Sequence, residues 1–564
     1  MYGVGQGVAS KSTPNCRAYS CQVMRCYSRT NTSPLSLLLM LLGLCAAAEY
    51  HVKPKETSCP RESCYTMDEL VTQYFNASAT NNLMDNVTVI FLNGTHELKD
   101  SIFVREVNDF TMLGAGGIDG ESHVEINCKS VSSLHFDGIT NLTISRITFS
   151  KCSNALTFSN VFNLRLIWVV TQNFTTNSIL AVNVFGASVI DHSVFHGLGY
   201  SGLFAYNRLY TVYIGYNNCS QILRKCSNKT KSLLHAVNHK LHIQNCVLRD
   251  GRNGSMNITL NNDCYNVEVD ITNVTALNGG GIFEGDIFIK IGNRANYHVT
   301  IRDSYISNSE GAAISVESFH PKGYVSQLIR ITNSVIDKST AGIRIHYYNS
   351  ADVNITAIPQ IVIEDCIIMN IRRASDDWKS GYGLLLFGQL AHFPVSVTLS
   401  NVSFENNQLS SQSGIELSNV RRVELIDCKF VGNQGTSITA IDSTFTVSGT
   451  LSFVNNTAYQ GGAMAFYGDS YMIISHKNNT HIFFINNYAN HIGGAIYIRN
   501  KRIDINKCFL WVVDIQYCSE LNGKNLSLTF ANNTARNGGD AIFGGSLYYC
   551  NTASCTEFWE CKRI

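Results

Sequence analysis

Charge is scarce in this sequence. Of its 564 residues only 15% are Asp, Glu, Lys or Arg, against roughly 25% in ordinary soluble domains. The 43 basic and 42 acidic side chains nearly cancel, so there is no basic field to hold a phosphate backbone and nucleic acid is not an expected partner. Proline numbers only seven, which together with 45% hydrophobic residues excludes a Pro-rich disordered chain. Neither a Cys-x-x-Cys pair nor a His/Cys cluster at zinc spacing occurs, so no metal and no other cofactor is expected. Apart from one stretch near the N-terminus, no apolar run approaches the ~18 residues of a membrane-spanning helix.

That stretch runs from Leu35 to Ala48 and closes on Ala46-Ala47-Ala48. It is shorter than a bilayer span, follows Lys11, Arg17, Arg25 and Arg29, and ends in small residues, the pattern of a secretory signal peptide over 1–48, cut after Ala48. Met24 is a second candidate start. The alternative is an uncleaved signal anchor, which would make the protein a membrane-anchored ectodomain. Cleavage leaves 15 of the 19 cysteines, an odd number in a compartment that permits disulfides. Sixteen Asn-x-Ser/Thr sequons follow, at Asn76, Asn86, Asn93, Asn141, Asn173, Asn218, Asn228, Asn253, Asn257, Asn273, Asn354, Asn401, Asn455, Asn478, Asn525 and Asn532. Such density is expected of a secreted, extracellular glycoprotein.

A repeat dominates what remains. Its unit is two apolar residues at alternate positions, then Asn or Asp, then an apolar residue three further on. Ile243-Gln244-Asn245 with Leu248 shows it, as do Ile271-Thr272-Asn273 with Ala276, Ile301-Arg302-Asp303 with Ile306 and Ile331-Thr332-Asn333 with Ile336. Ile363-Glu364-Asp365, Leu399-Ser400-Asn401 and Leu425-Ile426-Asp427 continue it, at Asn/Asp intervals of 28, 30, 30, 32, 36 and 26 residues. Val189-Ile190-Asp191 reads as an earlier copy. A short polar side chain tolerates left-handed backbone, so each Asn or Asp marks a tight corner between short strands. Half a repeat later comes Gly before an apolar strand, at Gly281, Gly342, Gly383 and Gly414, read as the other bend. Corners rather than Asn-Gly hairpins imply coils of parallel strands. About 15 coils at the ~4.8 Å strand spacing would give a rod of roughly 70 Å. The expected fold is all-β, a single-stranded right-handed parallel β-helix over 85–545, preceded by an N-terminal cap region at 49–84 and followed by a Cys-rich tail at 546–564 that is read as truncated.

Late coils carry a sharper signature: Phe404-Glu405-Asn406-Asn407, Phe430-Val431-Gly432-Asn433, Phe453-Val454-Asn455-Asn456, Phe484-Ile485-Asn486-Asn487 and Phe530-Ala531-Asn532-Asn533. Gly461-Gly462-Ala463-Met464 and Gly493-Gly494-Ala495-Ile496 follow two of them, with a variant at Gly538-Gly539-Asp540-Ala541-Ile542. This resembles the paired F-x-x-N and G-G-A-I repeats of bacterial polymorphic outer membrane proteins, and the same repeats occur in uncharacterised sponge β-helix proteins. The resemblance implies a β-helical adhesion module of the pectate-lyase-like superfamily. The membrane β-barrel of the bacterial proteins is missing from this sequence.

That superfamily includes polysaccharide lyases and glycosidases, so a catalytic site is sought. The loop Arg372-Arg373-Ala374-Ser375-Asp376-Asp377-Trp378-Lys379 holds paired carboxylates beside bases, the groups a Ca²⁺-assisted lyase needs. An exposed charged loop is more often only solvated. Glu317 and His346 fall at matching places after Ile314–Val316 and Ile343–Ile345, so stacking would set them one coil apart as an acid/base pair or as a structural hydrogen bond. Asp376, Asp377, Glu317 and His346 are thus the catalytic candidates. Cys59 with Cys64 and Cys219 with Cys226 close short loops and are disulfide candidates; Cys246, Cys366 and Cys428 follow corner residues and read as buried thiols. The favoured function is non-catalytic recognition or adhesion, with a glycan, matrix or cell-surface protein as partner. The alternative is a secreted polysaccharide-active enzyme.

Overall fold

The structure is a computed structural model. It describes residues 48–59, 64–75, 85–116, 124–129, 133–174, 176–197, 211–216, 239–251, 253–260, 266–280, 285–292, 296–319, 326–348, 359–372, 381–388, 396–475, 479–499, 510–512 and 526–544.

Every strand pairing is parallel, and the strands join into one continuous sheet wound into three faces, a parallel β-helix. One coil shows the plan. Val267–Thr272 lies on face 1, Asn273 turns the corner, Thr275–Leu277 lies on face 2, Asn278 turns again, and Ile287–Ile291 lies on face 3. The next coil repeats it with Tyr297–Arg302, Tyr305–Ser307 and Ala312–Phe319, in register at Val267↔Tyr297, Thr275↔Tyr305 and Ile287↔Ile314.

Alternation fixes which side chains point inward. In Val267–Thr272 the three apolar residues are buried and Glu268, Asp270 and Thr272 face out. Stacking the coils puts Ile271, Ile301, Ile331, Ile363, Leu399 and Leu425 in one file, all at most 1% exposed. Each such burial contributes about 1.5–3 kcal/mol.

The first corner is where the repeat puts it: Asn245, Asn273, Asp303, Asn333, Asp365, Asn401 and Asp427 all hold φ between 46° and 53°. Two readings need correction. Asp191 pairs with Gln244, the last strand residue of its coil, so the corner there is His192, at φ 48°. The second bend is made not by Gly342, Gly383 or Gly414 but by Asp250, Asn278, Asn308, Lys338, Asn370 and Asn406, all left-handed; Gly281 lies outside the described residues. Gly342, Gly383 and Gly414 serve close approach instead. A Cβ on Gly342 would lie 2.1 Å from the Gly383 carbonyl oxygen, and one on Gly383 would lie 2.5 Å from that of Gly414.

The F-x-x-N signature has a direct physical cause. Phe404, Phe430, Phe453, Phe484 and Phe530 stack at centroid distances of 4.9, 4.9, 5.2 and 4.7 Å with planes within 11° of parallel. Beside them Asn407, Asn433, Asn456 and Asn487 are wholly buried. Each Nδ2 donates to Oδ1 of the next Asn at 3.0 Å and to a backbone carbonyl of the coil before, Asn456 to Phe430 for example. A buried primary amide in every coil thus satisfies its neighbours along the axis.

At the N-terminal end Ala48–Val52 pairs with Val87–Phe91 and forms a rung of the sheet. The cap helix Met67–Tyr74 starts in a Thr66/Glu69 capping box and buries Met67, Leu70 and Val71. Cys59 and Cys64 form a disulfide beside it. A second disulfide, Cys128–Cys152, joins neighbouring coils, and the sequence reading had not paired these two. Cys246, Cys366 and Cys428 are free and buried, and burial pushes their thiols up to about 12, 11 and 12, which leaves them unreactive.

Candidate functional site

The core-facing side chains of every strand are committed to packing, so chemistry falls to the outward ones. On face 3 these form two files set by the register. One runs Lys290, Glu317, His346, Phe387. The other runs Asn257, Phe288, Ser315, Arg344, Leu385, Glu416 and Thr439.

Glu317 and His346 are direct partners on neighbouring rungs, about 4.8 Å apart along the rod. Both are half-buried, and the His346 ring meets Phe387 edge-on at 5.2 Å. Arg344 donates from Nε and one terminal nitrogen to Ser315 Oγ at 3.1 and 3.0 Å. Although they point away from the core, Asn257, Phe288, Ser315 and Leu385 are no more than 7% exposed, so this strip of face 3 is screened from water. Phe387 is 38% exposed and lies open at its end.

Glu416, further along the second file, is a residue that sequence reasoning missed, because its motif is only Gly before an apolar strand. Burial pushes its carboxyl up to about 7. Among the described residues it has no hydrogen-bond partner, and it acts electrostatically on Tyr467, whose hydroxyl is raised mainly by burial. The Tyr467 hydroxyl donates to Gln460 Oε1 at 3.4 Å. A half-buried carboxyl raised to about 7 can donate or accept a proton at pH 7.

The other sequence candidates fall elsewhere. Asp376, Asp377, Cys219 and Cys226 lie outside the described residues, as do six of the sequon asparagines, Asn76, Asn218, Asn228, Asn354, Asn478 and Asn525. Asn93, Asn141, Asn173, Asn273, Asn401, Asn455 and Asn532 are exposed, and most of them occupy left-handed corner positions. Asn86 and Asn253 are half-buried. Asn257 is 3% exposed and its Oδ1 accepts from Thr259, a poor place for a sugar. No cluster of three or more His, Cys, Asp or Glu positioned for a metal occurs among the described residues, and no described helix is long and apolar enough to cross a membrane.

No protein-family model and no curated protein sequence matches the chain. Solved structures do. One is PfbA, a surface adhesin of Streptococcus pneumoniae, at TM-score 0.34 and 12% identity, covering 67% of this chain and 83% of that one. A PL6 alginate lyase in complex with a trisaccharide gives TM-score 0.31 and 12% identity over 72% and 86% of the two chains. A mutant of the periplasmic alginate epimerase AlgG gives TM-score 0.24 and 9% identity over 85% and 84%.

Proposed function

We propose that this is an extracellular recognition glycoprotein, a rod whose face 3 presents outward side chains to a glycan, matrix or cell-surface partner. The observation that supports it most directly is the file Lys290, Glu317, His346, Phe387. It sets a cation, a carboxylate, an imidazole and an aromatic ring one coil apart on backbone that cannot shift register without moving its core residues. Such a file binds without reorganising, which limits the entropy lost on association. The test is binding of the secreted protein to glycan and matrix arrays, with a variant carrying Lys290→Ala, Glu317→Gln and His346→Ala. Loss of tenfold or more with an unchanged melting temperature is expected; full binding by the variant would remove face 3 from the interface.

A second reading, a polysaccharide-active enzyme, is favoured by one observation, the half-buried Glu416 carboxyl on the outward file of face 3, which burial raises to about 7. Turnover of a polysaccharide panel with and without Ca²⁺, read as unsaturated-uronate absorbance and new reducing ends, decides it. Activity lost in Glu416→Gln would make Glu416 the acid/base group. Activity kept there but lost in Asp376→Asn with Asp377→Asn would point to the charged loop, and inactivity of folded protein would leave recognition.

A further inference from the structure

Over seven successive coils the first corner of the rod is built from one kind of residue. From Asn245 through Asp427 every corner is Asn or Asp, whose short side chains accept left-handed backbone and bond from coil to coil, as when Asn273 Nδ2 donates to Asn245 Oδ1 at 2.8 Å. In the three coils before Asn245 the same file holds Arg146, Trp168 and His192, at φ 58°, 57° and 48°. Large side chains are disfavoured in that conformation, and a large aromatic more than most. Packing covers it only in part, since Trp168 is 44% exposed.

The two rings make a shelf. Trp168 stacks on His192 with centroids 4.4 Å apart and planes 27° from parallel. His192 Nδ1 lies 2.7 Å from Asp191 Oδ1, and Asp191 also accepts from Asn245 Nδ2 at 2.9 Å. The imidazole under the indole is thereby held in place by a carboxylate that is itself held by the next corner.

We propose that this corner is a binding shelf for a pyranose ring of a glycan. A flat, exposed indole offers its face to the axial C–H groups of a sugar, and Asp191, His192 and Asn245 set hydrogen-bonding groups at the rim for its hydroxyls. The shelf sits at the corner between faces 1 and 2, opposite face 3, and stands whether or not face 3 binds anything. The sugar comes either from an outside glycan or from one of the protein's own N-glycans.

The experiment uses the secreted, glycosylated protein before and after enzymatic removal of its N-glycans. Tryptophan emission and binding are followed while cellohexaose, N-acetylchitohexaose and hexaguluronate are added in turn. Trp168→Asn restores the residue type that the corner prefers, so it melts no lower than the parent protein while losing the emission response and weakening binding tenfold or more. His192→Asn keeps the indole, removes the stack and weakens binding by a smaller factor. A shelf filled by the protein's own sugar shows as a change in Trp168 emission on deglycosylation, and one for an outside sugar as a response to a probe. Emission from Trp168 that stays constant in every arm overturns the proposal, as does a Trp168→Asn variant that melts lower and binds every probe as the parent does.

Discussion

Replacing Asn456 by Ala should be among the most damaging single changes in the late coils. The side chain is wholly buried and makes four hydrogen bonds. Nδ2 donates to the Phe430 carbonyl and to Asn487 Oδ1, each at 3.0 Å, and Oδ1 accepts from the backbone N–H and Nδ2 of Asn433, both at 3.0 Å. After truncation, Asn487 Oδ1 still accepts from the Asn456 backbone N–H at 3.1 Å, and Asn433 Nδ2 still reaches the Phe404 carbonyl at 2.9 Å. The Asn433 N–H loses its partner at a dry site, while the Phe430 carbonyl loses one bond but keeps its place in the parallel ladder against the next coil. At about 1–3 kcal/mol for an orphaned buried group, the cost is about 1–3 kcal/mol before any cavity is counted.

Asn456→Asp separates hydrogen bonding from shape. It keeps the volume but replaces the donor with an acceptor facing two acceptors, and should cost more than Ala. Because coils contact only their neighbours, the loss should stay local, so hydrogen exchange at the amides of residues 429–454 and 480–485 is the primary assay, with urea unfolding beside it. Protection lowered there and kept in residues 267–332 is expected. A stability change below about 1 kcal/mol for Ala, or Asp tolerated as well as Asn, would refute the claim that the buried amides hold these coils together.

Three other outcomes follow from the same geometry. Cys128→Ser with Cys152→Ser opens a buried link of sequence separation 24 between coils, and should cost about 3 kcal/mol and speed proteolysis near residue 140; unchanged thermal melting would count against it. Asp286 is wholly buried, takes hydrogen bonds from the Ser255 N–H at 2.7 Å and Ser309 Oγ at 2.9 Å, and burial raises its carboxyl. The fold keeps that proton while the unfolded chain releases it, so stability is greatest at low pH and falls as pH rises from about 4 through the raised value; Asp286→Asn should remove that slope, and a melting temperature falling equally in both proteins would show another group responsible. Glycopeptide mass spectrometry should find Asn257 unmodified and Asn273, Asn401 and Asn532 carrying glycan; a glycan on Asn257 would mean that face 3 is open where the structure covers it.

The coil plan was legible because its constraint is steric. Few residue types enter left-handed backbone cheaply, so Asn and Asp recur at every first corner from Asn245 to Asp427 and spell out the period. The same constraint misled at Asp191, the better corner residue by type, when the backbone turns at the adjacent His192. Glycine was misread for the opposite reason: Gly342 and Gly383 look like turns, but their missing Cβ makes room for the carbonyl of the next coil. Cys128 and Cys152 escaped pairing because the corners beside them are Lys129 and Lys151 rather than Asn, so nothing in the sequence marks the two as neighbours on successive coils.

Function is written on the outward side chains, where the fold imposes no period. Glu317, His346 and Glu416 could be exchanged for many polar residues without disturbing the core file behind them, which is why only register, and not composition, brings Glu317 to His346. One kind of functional signal does survive in such a fold, a residue that the scaffold would reject on its own account. Trp168 is that residue on this rod: left-handed, 44% exposed, and set in a column otherwise given over mainly to asparagine and aspartate. If Trp168→Asn raised stability and abolished binding together, the same search for large side chains in left-handed corners would locate binding sites on other β-helices whose faces show no catalytic motif. If instead it lowered stability, strain at a corner would be a packing matter, and the outward files of face 3 would be left to carry recognition alone.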